Sequence, residues 1–286
     1  MGAGNTSTMS SIPISVVPGT DATPLLHPFV ESLGVPDLAP ATVAFDPGYD
    51  PVTLDAHLEQ SAGLMALLKL SMACWLIADE AATRRKLASA ARHGVGVVTG
   101  GGPFEISATL GRLSEYLDLC GSLGFERIEA GEGFTQLALT PSEVVQMARA
   151  RGLEVQAELG DKHGGSFDDA TVDGLVRRGQ QWLEAGAVEL VIEGRESADE
   201  IGIFRKGGVL NAELADRLAE AFGLAHTVFE APTKSSQFAL LNHFGPQVRL
   251  GNVRLEEVLR VEIYRRGLHS DAFLQPRLRP RARGLS

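Results

Sequence analysis

Short apolar runs alternate with longer stretches of helical periodicity along most of the chain. Gly, Pro or Asp bounds most of these runs, a pattern that is typical of buried strands. The predicted strands are Ala41–Phe45, Leu67–Ser71, Gly96–Thr99, Arg127–Ala130, Glu154–Leu159, Glu189–Glu193, Thr227–Glu230 and Val248–Gly251. Helices are predicted to follow near residues 53–65, 79–93, 104–123, 141–151, 169–185, 211–222, 234–244 and 254–266.

Local signals support these helix boundaries. Thr140 precedes Pro141 with Glu143 in the first turn, and several helices are predicted to end at a glycine, as at Gly124 and Gly186. Repeated strand–helix units predict an α/β fold, a (β/α)₈ TIM barrel over residues 41–273. The same alternation is also compatible with a doubly wound open sheet, although no Gly-x-Gly-x-x-Gly follows the first strand. Residues 1–40 are predicted to form an N-terminal extension, and residues 274–286 a flexible basic tail.

Composition narrows the class of protein. The 286 residues carry a formal net charge of −10, which argues against binding to nucleic acid or to an anionic membrane surface. Cys74 and Cys120 are the only cysteines, so neither a zinc framework nor a disulfide scaffold is expected. The first 68 residues contain neither Lys nor Arg, which both a secretory signal and a transit peptide require. We therefore expect a cytoplasmic protein, and a homo-oligomer, as acidic barrels with extensions often are.

Four successive predicted strands end in a glutamate flanked by apolar or small residues: Glu129, Glu158, Glu193 and Glu230. In a barrel the carboxyl ends of the strands meet around one cavity. Any one of these carboxylates could be a satisfied structural group. Together, however, they would repel one another unless a cation offset their charge. Oxygen ligands without Cys or His favour Mg²⁺ or Mn²⁺ over zinc.

Three of the five lysines fall at the same predicted face: Lys69 in the second strand, Lys162 after the fifth, and Lys234 at the start of the helix after the seventh. A partly buried lysine can exchange a proton, whereas an ion pair with the glutamates is the structural alternative. Further candidates for binding an anionic substrate are Arg195, Ser235 at the start of the seventh helix, Gly101 and Gly102 in the turn after the third strand, and Asn252.

These strand-end motifs resemble those of the phosphosulfolactate synthase family from about Gly96 to Phe273. The motifs that carry the resemblance are Gly101–Glu105, Gly124–Glu126, Ile128-Glu129, Ala157–Lys162, Ile192–Ser197, Ile201–Phe204, Phe229–Ser235 and Leu259–Phe273. The resemblance implies a (β/α)₈ enzyme that adds sulfite to phosphoenolpyruvate with Mg²⁺, on the path to coenzyme M. Plant heat-stress-associated proteins are related to this family.

The resemblance, with the pattern above, assigns hypothetical roles. Glu158, Glu193 and Glu230 would hold the metal, and Glu129 belongs to the catalytic set. Lys162 or Lys69 would protonate the substrate carbon next to the attacked methylene carbon. The substrate, a small phosphorylated enol acid, would be bound by Arg195, Lys234, Ser235, Gly101, Gly102 and Asn252.

The first two strands depart from the family pattern. The family has Asp-Lys-Gly after strand one, whereas this chain has Pro47 in the lysine position. Lys69 is retained, but residues 70–75 replace a Gly/Thr-rich polar turn with a more apolar one. These departures leave three hypotheses open: sulfite addition, the same enol-phosphate chemistry with a different nucleophile, and a barrel that binds a ligand or partner without turnover.

Overall fold

The computed structural model describes residues 25–279, so the beginning of the predicted extension and the end of the predicted tail, with Arg281 and Arg283, lie outside the described residues. The chain divides after Gly34 into two compact units. The described part of the first unit contains helix α1 (Leu26–Ser32). The second unit starts at Val35 and contains the elements that follow. The predicted boundaries at residues 41 and 273 stay predictions.

One closed barrel of parallel strands forms the centre of the second unit. It consists of β1 (Thr42–Asp46), β2 (Met65–Leu70), β3 (Val97–Thr99), β4 (Arg127–Gly131), β5 (Glu154–Leu159), β6 (Glu189–Ile192), β9 (Thr227–Glu230) and β10 (Arg249–Arg254). Between β6 and β9 the chain also forms two short strands, β7 (Phe204–Arg205) and β8 (Val209–Leu210). β7 and β8 form a separate antiparallel hairpin. Parallel pairing of β1 with β10 closes the sheet, which confirms the predicted (β/α)₈ TIM barrel and excludes the open sheet.

Helices surround the barrel in sequence order. They are α2 (Pro51–Ser61), α3 (Cys74–Ile77), α4 (Glu80–Arg92), α5 (Gly101–Thr109), α6 (Leu113–Leu123), α7 (Pro141–Arg149), α8 (Asp169–Ala185), α9 (Ala212–Phe222), α10 (Lys234–Phe244), α11 (Val258–Arg265) and α12 (Ser270–Phe273). Thr140 and Glu143 form a reciprocal capping box at the start of α7, and Gly124 and Gly186 end α6 and α8 in the left-handed conformation. Within residues 25–279, no helix is long and apolar enough to cross a membrane.

Two connections differ from the sequence prediction. The single helix predicted over residues 104–123 is wrong, because the chain turns at Gly111, which has a φ of +69°, and continues as the separate helices α5 and α6. The hairpin of β7 and β8, between β6 and α9, was not predicted, because two-residue strands carry too little alternation to be recognised.

The barrel interior changes from ionic to apolar and back to ionic along its axis. Side chains alternate along β6, so that Glu189, Val191 and the following Glu193 point inward at successive levels. At the amino end Glu189 accepts hydrogen bonds from Arg127 and Arg249, at 2.8 and 2.6 Å. Val191 belongs to a small buried apolar cluster at mid-height, with Val43, Leu67, Val98 and Val228. This apolar layer therefore separates the ionic groups at the carboxyl end of the barrel from those at the amino end.

Candidate active site

Four buried glutamates meet at the carboxyl end of the barrel. Glu129 comes from β4, Glu158 from β5, Glu193 from the turn after β6 and Glu230 from the end of β9, and none is more than 4% exposed. Each is followed by a loop on the face where barrel enzymes build their active sites. The periodicity that placed one glutamate at each strand end thus brings all four into one region.

Two lysines lie between these carboxylates. The Nζ of Lys69 is 2.8 Å from Glu129 Oε1 and 3.3 Å from Glu230 Oε1. The Nζ of Lys162 is 2.7 Å from Glu158 Oε1 and 3.1 Å from Glu193 Oε2. Each lysine bridges two carboxylates that would otherwise repel one another. Four carboxyl groups face two ammonium groups, so the cluster favours either a bound cation or a proton on one of the carboxyl groups.

The surroundings of these groups shift their pKa values. Burial alone would lower the pKa of Lys69, but the glutamates around it raise that pKa above its usual range. The pKa of Lys162 is raised in the same way, against burial, chiefly by Glu158 and Glu193. Burial, followed by the charges of Glu230 and Glu158, raises the pKa of Glu193 to about 9. Both lysines therefore carry a proton at neutral pH.

Backbone amides fix the carboxylates in orientation. The amide of Gly101 donates to Glu129 Oε1 at 2.9 Å, and the amide of Gly194 donates to Glu230 Oε2 at 3.0 Å. The amide of Arg195 donates to both Glu193 Oε1, at 2.7 Å, and Glu230 Oε2, at 3.1 Å. Arg195 makes this double contact from a φ of +56°, a left-handed conformation that is uncommon for a residue with a side chain.

Three of the glutamates fit a divalent cation. Glu158, Glu193 and Glu230 each offer one carboxylate oxygen, and these oxygens lie within 4.8 Å of one another. Glu158 Oε2 is buried and has no hydrogen-bond partner. A buried carboxylate oxygen without a partner is rare unless an ion or water satisfies it. An all-oxygen set of this kind suits Mg²⁺.

A cavity of about 330 Å³ opens above the cluster. It is lined by most of the sequence-predicted residues: Lys69, Gly101, Gly102, Glu129, Glu158, Lys162, Glu193, Arg195, Glu230 and Asn252. Lys234 and Ser235 are not among the lining residues; Lys234 Nζ lies 5.2 Å from the centre of the Phe238 ring, and the Ser235 hydroxyl lies 3.0 Å from that of Thr233. The substrate-binding roles predicted for these two residues stay predictions.

The sequence predicted only part of the apolar side of this cavity, the part formed by residues 70–75. Six apolar residues line it: Phe45, Met72, Ala73, Pro103, Ile106 and Phe134. The apolar character of residues 70–75 was noted, but nothing in the sequence indicated that Ile106 and Phe134 approach the same space. Ile106 lies on helix α5 and Phe134 in the loop after β4, and only the tertiary structure brings these two segments together.

Two polar residues that support the site were also missed. Gln156 Nε2 donates to Glu129 Oε2 at 2.8 Å, and the buried Glu105 accepts from the amides of Phe134 and Thr135, both at 3.0 Å. For Gln156 a signal existed, since it lies two residues before Glu158 on a strand and so shares its face. Glu105 lies on α5, and its role depends on a loop some thirty residues away.

Gly101 leaves room for the carboxylates, so we expect Gly101→Ala to lower turnover with little effect on folding. A Cβ at this position would lie 2.8 Å from Glu158 Oε2 and 3.3 Å from Glu129 Oε1. The glutamate side chains can move away, which spares stability but displaces the charged groups, and a displacement near 1 Å can cost about 100-fold in rate. Steady-state kinetics and urea unfolding would measure both effects. Gly63→Ala, whose Cβ meets nothing within 4 Å, is the control; equal activity of the two variants would contradict the expectation.

A family model and two similar known proteins point to the same family. A family model described as (2R)-phospho-3-sulfolactate synthase (ComA) matches residues 36–271. The phosphosulfolactate synthase of Methanocaldococcus jannaschii is 32% identical over 233 residues, which cover 81% of this chain and 93% of that protein. The phosphosulfolactate synthase of Methanothermobacter thermautotrophicus is 29% identical over 80% of this chain and 90% of its own length.

Solved structures agree on the fold alone. A deoxyribose phosphate aldolase from Aeropyrum pernix superposes with a TM-score of 0.53 at 16% identity, over 84% of this chain and 98% of that one. A protein described as a putative phosphonomutase from Burkholderia cenocepacia gives a TM-score of 0.50 at 14% identity, over 78% and 89% of the two chains. Identities this low carry no argument about the reaction.

Proposed function

The chain belongs to the (2R)-phospho-3-sulfolactate synthase family of enzymes, and from this premise we propose that it adds a nucleophile to the methylene carbon of phosphoenolpyruvate in the presence of Mg²⁺. Sulfite is the nucleophile that the family resemblance implies. The observation that carries the proposal is the buried set Glu158, Glu193 and Glu230, with an unpartnered carboxylate oxygen, directly beside Lys162.

Glu158, Glu193 and Glu230 would hold the Mg²⁺. When bound, the ion would supply positive charge that attracts the substrate carboxylate and stabilises the negative charge developing on it during addition. The chain itself keeps the ligands in place, because the amides of Gly194 and Arg195 donate hydrogen bonds to two of the three carboxylates.

Lys162 is the better placed of the two predicted proton donors. Both lysines line the cavity, but the side chain of Lys162 is 19% exposed, whereas that of Lys69 is 8% exposed between Glu129 and Glu230. The nucleophile's electron pair forms a bond to the methylene carbon while the carbon–carbon π pair moves to the adjacent carbon. That carbon takes the proton of Lys162, and the lysine regains one from the incoming nucleophile or from solvent. The raised pKa of Lys162 keeps it protonated before the reaction.

Arg195 would bind the substrate phosphate. Among the cavity-lining residues in the described part of the chain, it is the one cation with no carboxylate within salt-bridge distance. Its Nη1 donates to the carbonyl of Lys162 at 3.1 Å, which leaves further guanidinium donors for an anion. The left-handed backbone places this side chain at the mouth of the cavity while its amide still faces the glutamates.

Calorimetric titration of phosphoenolpyruvate into the protein, with Mg²⁺ and then with EDTA, tests the proposal. We expect saturable binding that depends on Mg²⁺. Arg195→Gln should weaken this binding by about 10- to 100-fold, since a hydrogen bond to a charged group contributes about 1.5–3 kcal/mol. Lys206→Gln removes the same positive charge at an exposed position of the same segment that does not line the cavity. This control variant should bind phosphoenolpyruvate as the unaltered protein does. No binding under either condition by the folded protein would overturn the proposed function.

Coenzyme M biosynthesis as the pathway, a cytoplasmic location and a homo-oligomeric state stay predictions. Membership of an enzyme family favours turnover over the non-catalytic alternative.

A further inference from the structure

The cavity is divided into an acidic half and an apolar half. The barrel order places β4, β5, β6 and β9 side by side, and these strands supply the four glutamates. On the other side, β1 supplies Phe45, the loop after β2 supplies Met72 and Ala73, and helix α5 after β3 supplies Pro103 and Ile106. Phe134 from the loop after β4 completes this wall. We call these six residues the apolar wall. A substrate held by the acidic half and Arg195 would have its other side against this wall.

Half of the apolar wall is exposed in the free protein. Met72 is 57% exposed, Ile106 49% and Phe134 43%, and all three line the cavity. Contact with a ligand would remove this apolar surface from water, which contributes about 25 cal/mol for each Å² buried. A small, strongly hydrated dianion would gain nothing from that contact.

The wall is held in a fixed shape. Glu105 is 1% exposed, and its Oε2 accepts hydrogen bonds from the amides of Phe134 and Thr135, which anchor the loop that carries Phe134. The turn that carries Met72 lies against Gly100 so closely that a Cβ on that glycine would be 2.7 Å from the Met72 nitrogen. Met72 itself has a φ of +44°, an unusual conformation for this residue type. Apolar surface that is preformed and exposed inside a cavity is typical of a ligand site.

Charge also disfavours a second small dianion. The cavity-lining residues include five glutamates, one of them the exposed Glu196, and three cationic side chains. Lys69 and Lys162 are each bound between two carboxylates, which leaves Arg195 for the enol phosphate. The Mg²⁺ proposed above would already face the substrate carboxylate. A dianionic nucleophile would therefore meet no side-chain cation that is free of a carboxylate or of the enol phosphate.

We propose that the second substrate is a sulfur nucleophile with at most one negative charge and an apolar substituent, a thiol or an organic sulfinate, whose substituent contacts Met72, Ile106 and Phe134. This inference rests on the proposed function. The sulfur electron pair forms a bond to the methylene carbon of phosphoenolpyruvate, and the adjacent carbon takes a proton. With a thiol, this proton comes from the thiol through the enzyme and the product is a thioether. With a sulfinate anion, the proton comes from solvent through the enzyme and the product is a sulfone.

A matched series of nucleophiles tests the proposal with the full chain. Sulfite, methanesulfinate and benzenesulfinate all attack through sulfur but differ in charge and apolar area, and phenylmethanethiol represents the thiols. Mass spectrometry would follow product formation from phosphoenolpyruvate and Mg²⁺. We expect kcat/KM for benzenesulfinate or phenylmethanethiol to exceed that for sulfite by at least about tenfold, which corresponds to about 1.4 kcal/mol. Equal or better turnover of sulfite would overturn the inference and leave the proposed function standing.

Paired variants on one helix test the role of the wall. Ile106 lines the cavity, whereas Leu110, one turn further on at the end of α5, is 69% exposed and does not line it. We expect Ile106→Ser to lower kcat/KM for the preferred apolar nucleophile by about tenfold with phosphoenolpyruvate binding unchanged, and Leu110→Ser to have no effect. Equal effects of the two variants, or phosphoenolpyruvate binding without turnover of any nucleophile in the series, would contradict the inference. Absence of phosphoenolpyruvate binding would instead contradict the proposed function.

Discussion

Glu193→Gln is expected to abolish most Mg²⁺-dependent turnover, with a fall in kcat/KM of about 10²- to 10³-fold, the range typical for loss of one group that stabilises developing charge. Glu193 Oε2 is 3.1 Å from Lys162 Nζ, and its carboxylate belongs to the three-glutamate cluster with Glu158 and Glu230. An amide at this position cannot lose a proton to become a negatively charged ligand when the metal binds, while it preserves the shape of the side chain. Steady-state kinetics with phosphoenolpyruvate and the best nucleophile would measure the loss.

A second readout separates metal binding from folding. Calorimetric titration of Mg²⁺ should show weaker binding to Glu193→Gln, while the urea unfolding midpoint should fall little, because the variant removes one of several repelling carboxylates. Glu196→Gln is the matched control. It makes the same substitution at another residue that lines the cavity, but Glu196 lies outside the three-glutamate cluster. The assignment of Glu193 would be wrong if both variants bound Mg²⁺ and turned over substrate equally.

Lys69→Met is expected to cause the largest loss of stability, about 3–5 kcal/mol in the free energy of unfolding, which is typical when one partner of a buried ion pair is removed. Lys69 is 6% exposed and bridges Glu129 and Glu230, so its loss leaves two buried carboxylates facing each other. Urea unfolding followed by circular dichroism would measure the change. Lys206→Met, at an exposed position, should change stability by less than about 0.5 kcal/mol.

Two further measurements identify the cause of that loss. Adding Glu129→Gln to the Lys69→Met variant should recover part of the stability, because the second substitution removes one of the two carboxylates that have lost their partner. The penalty should also shrink as the pH falls: burial already raises the pKa of Glu129 above its usual range, and without Lys69 that pKa rises further. A group with a raised pKa in the folded state binds protons more tightly there, so folding gains stability as the pH is lowered. A pH-independent penalty would indicate a packing defect instead.

The sequence determined the fold class through local pattern. The predicted strands Glu154–Leu159 and Thr227–Glu230 coincide with β5 and β9, because compact apolar runs between turn residues are a strong local signal. The break at Gly111 was missed, because a single glycine in a helical pattern is compatible with both a continuous and an interrupted helix. Closure of the sheet depended on the pairing of β1 with β10, some two hundred residues apart in sequence.

The same division holds for the site. The sequence by itself placed a glutamate at the end of four successive strands, since two-residue alternation fixes which side chains share the inner face. The tertiary structure alone decided which cations reach them: Lys69 bridges Glu129 and Glu230, whereas Lys234 lies over Phe238. It also decided that β1, α5 and the loops after β2 and β4 form one apolar wall. Periodicity describes the direction of a side chain relative to its own strand, whereas contacts between distant segments depend on barrel closure and loop packing, which no local pattern encodes.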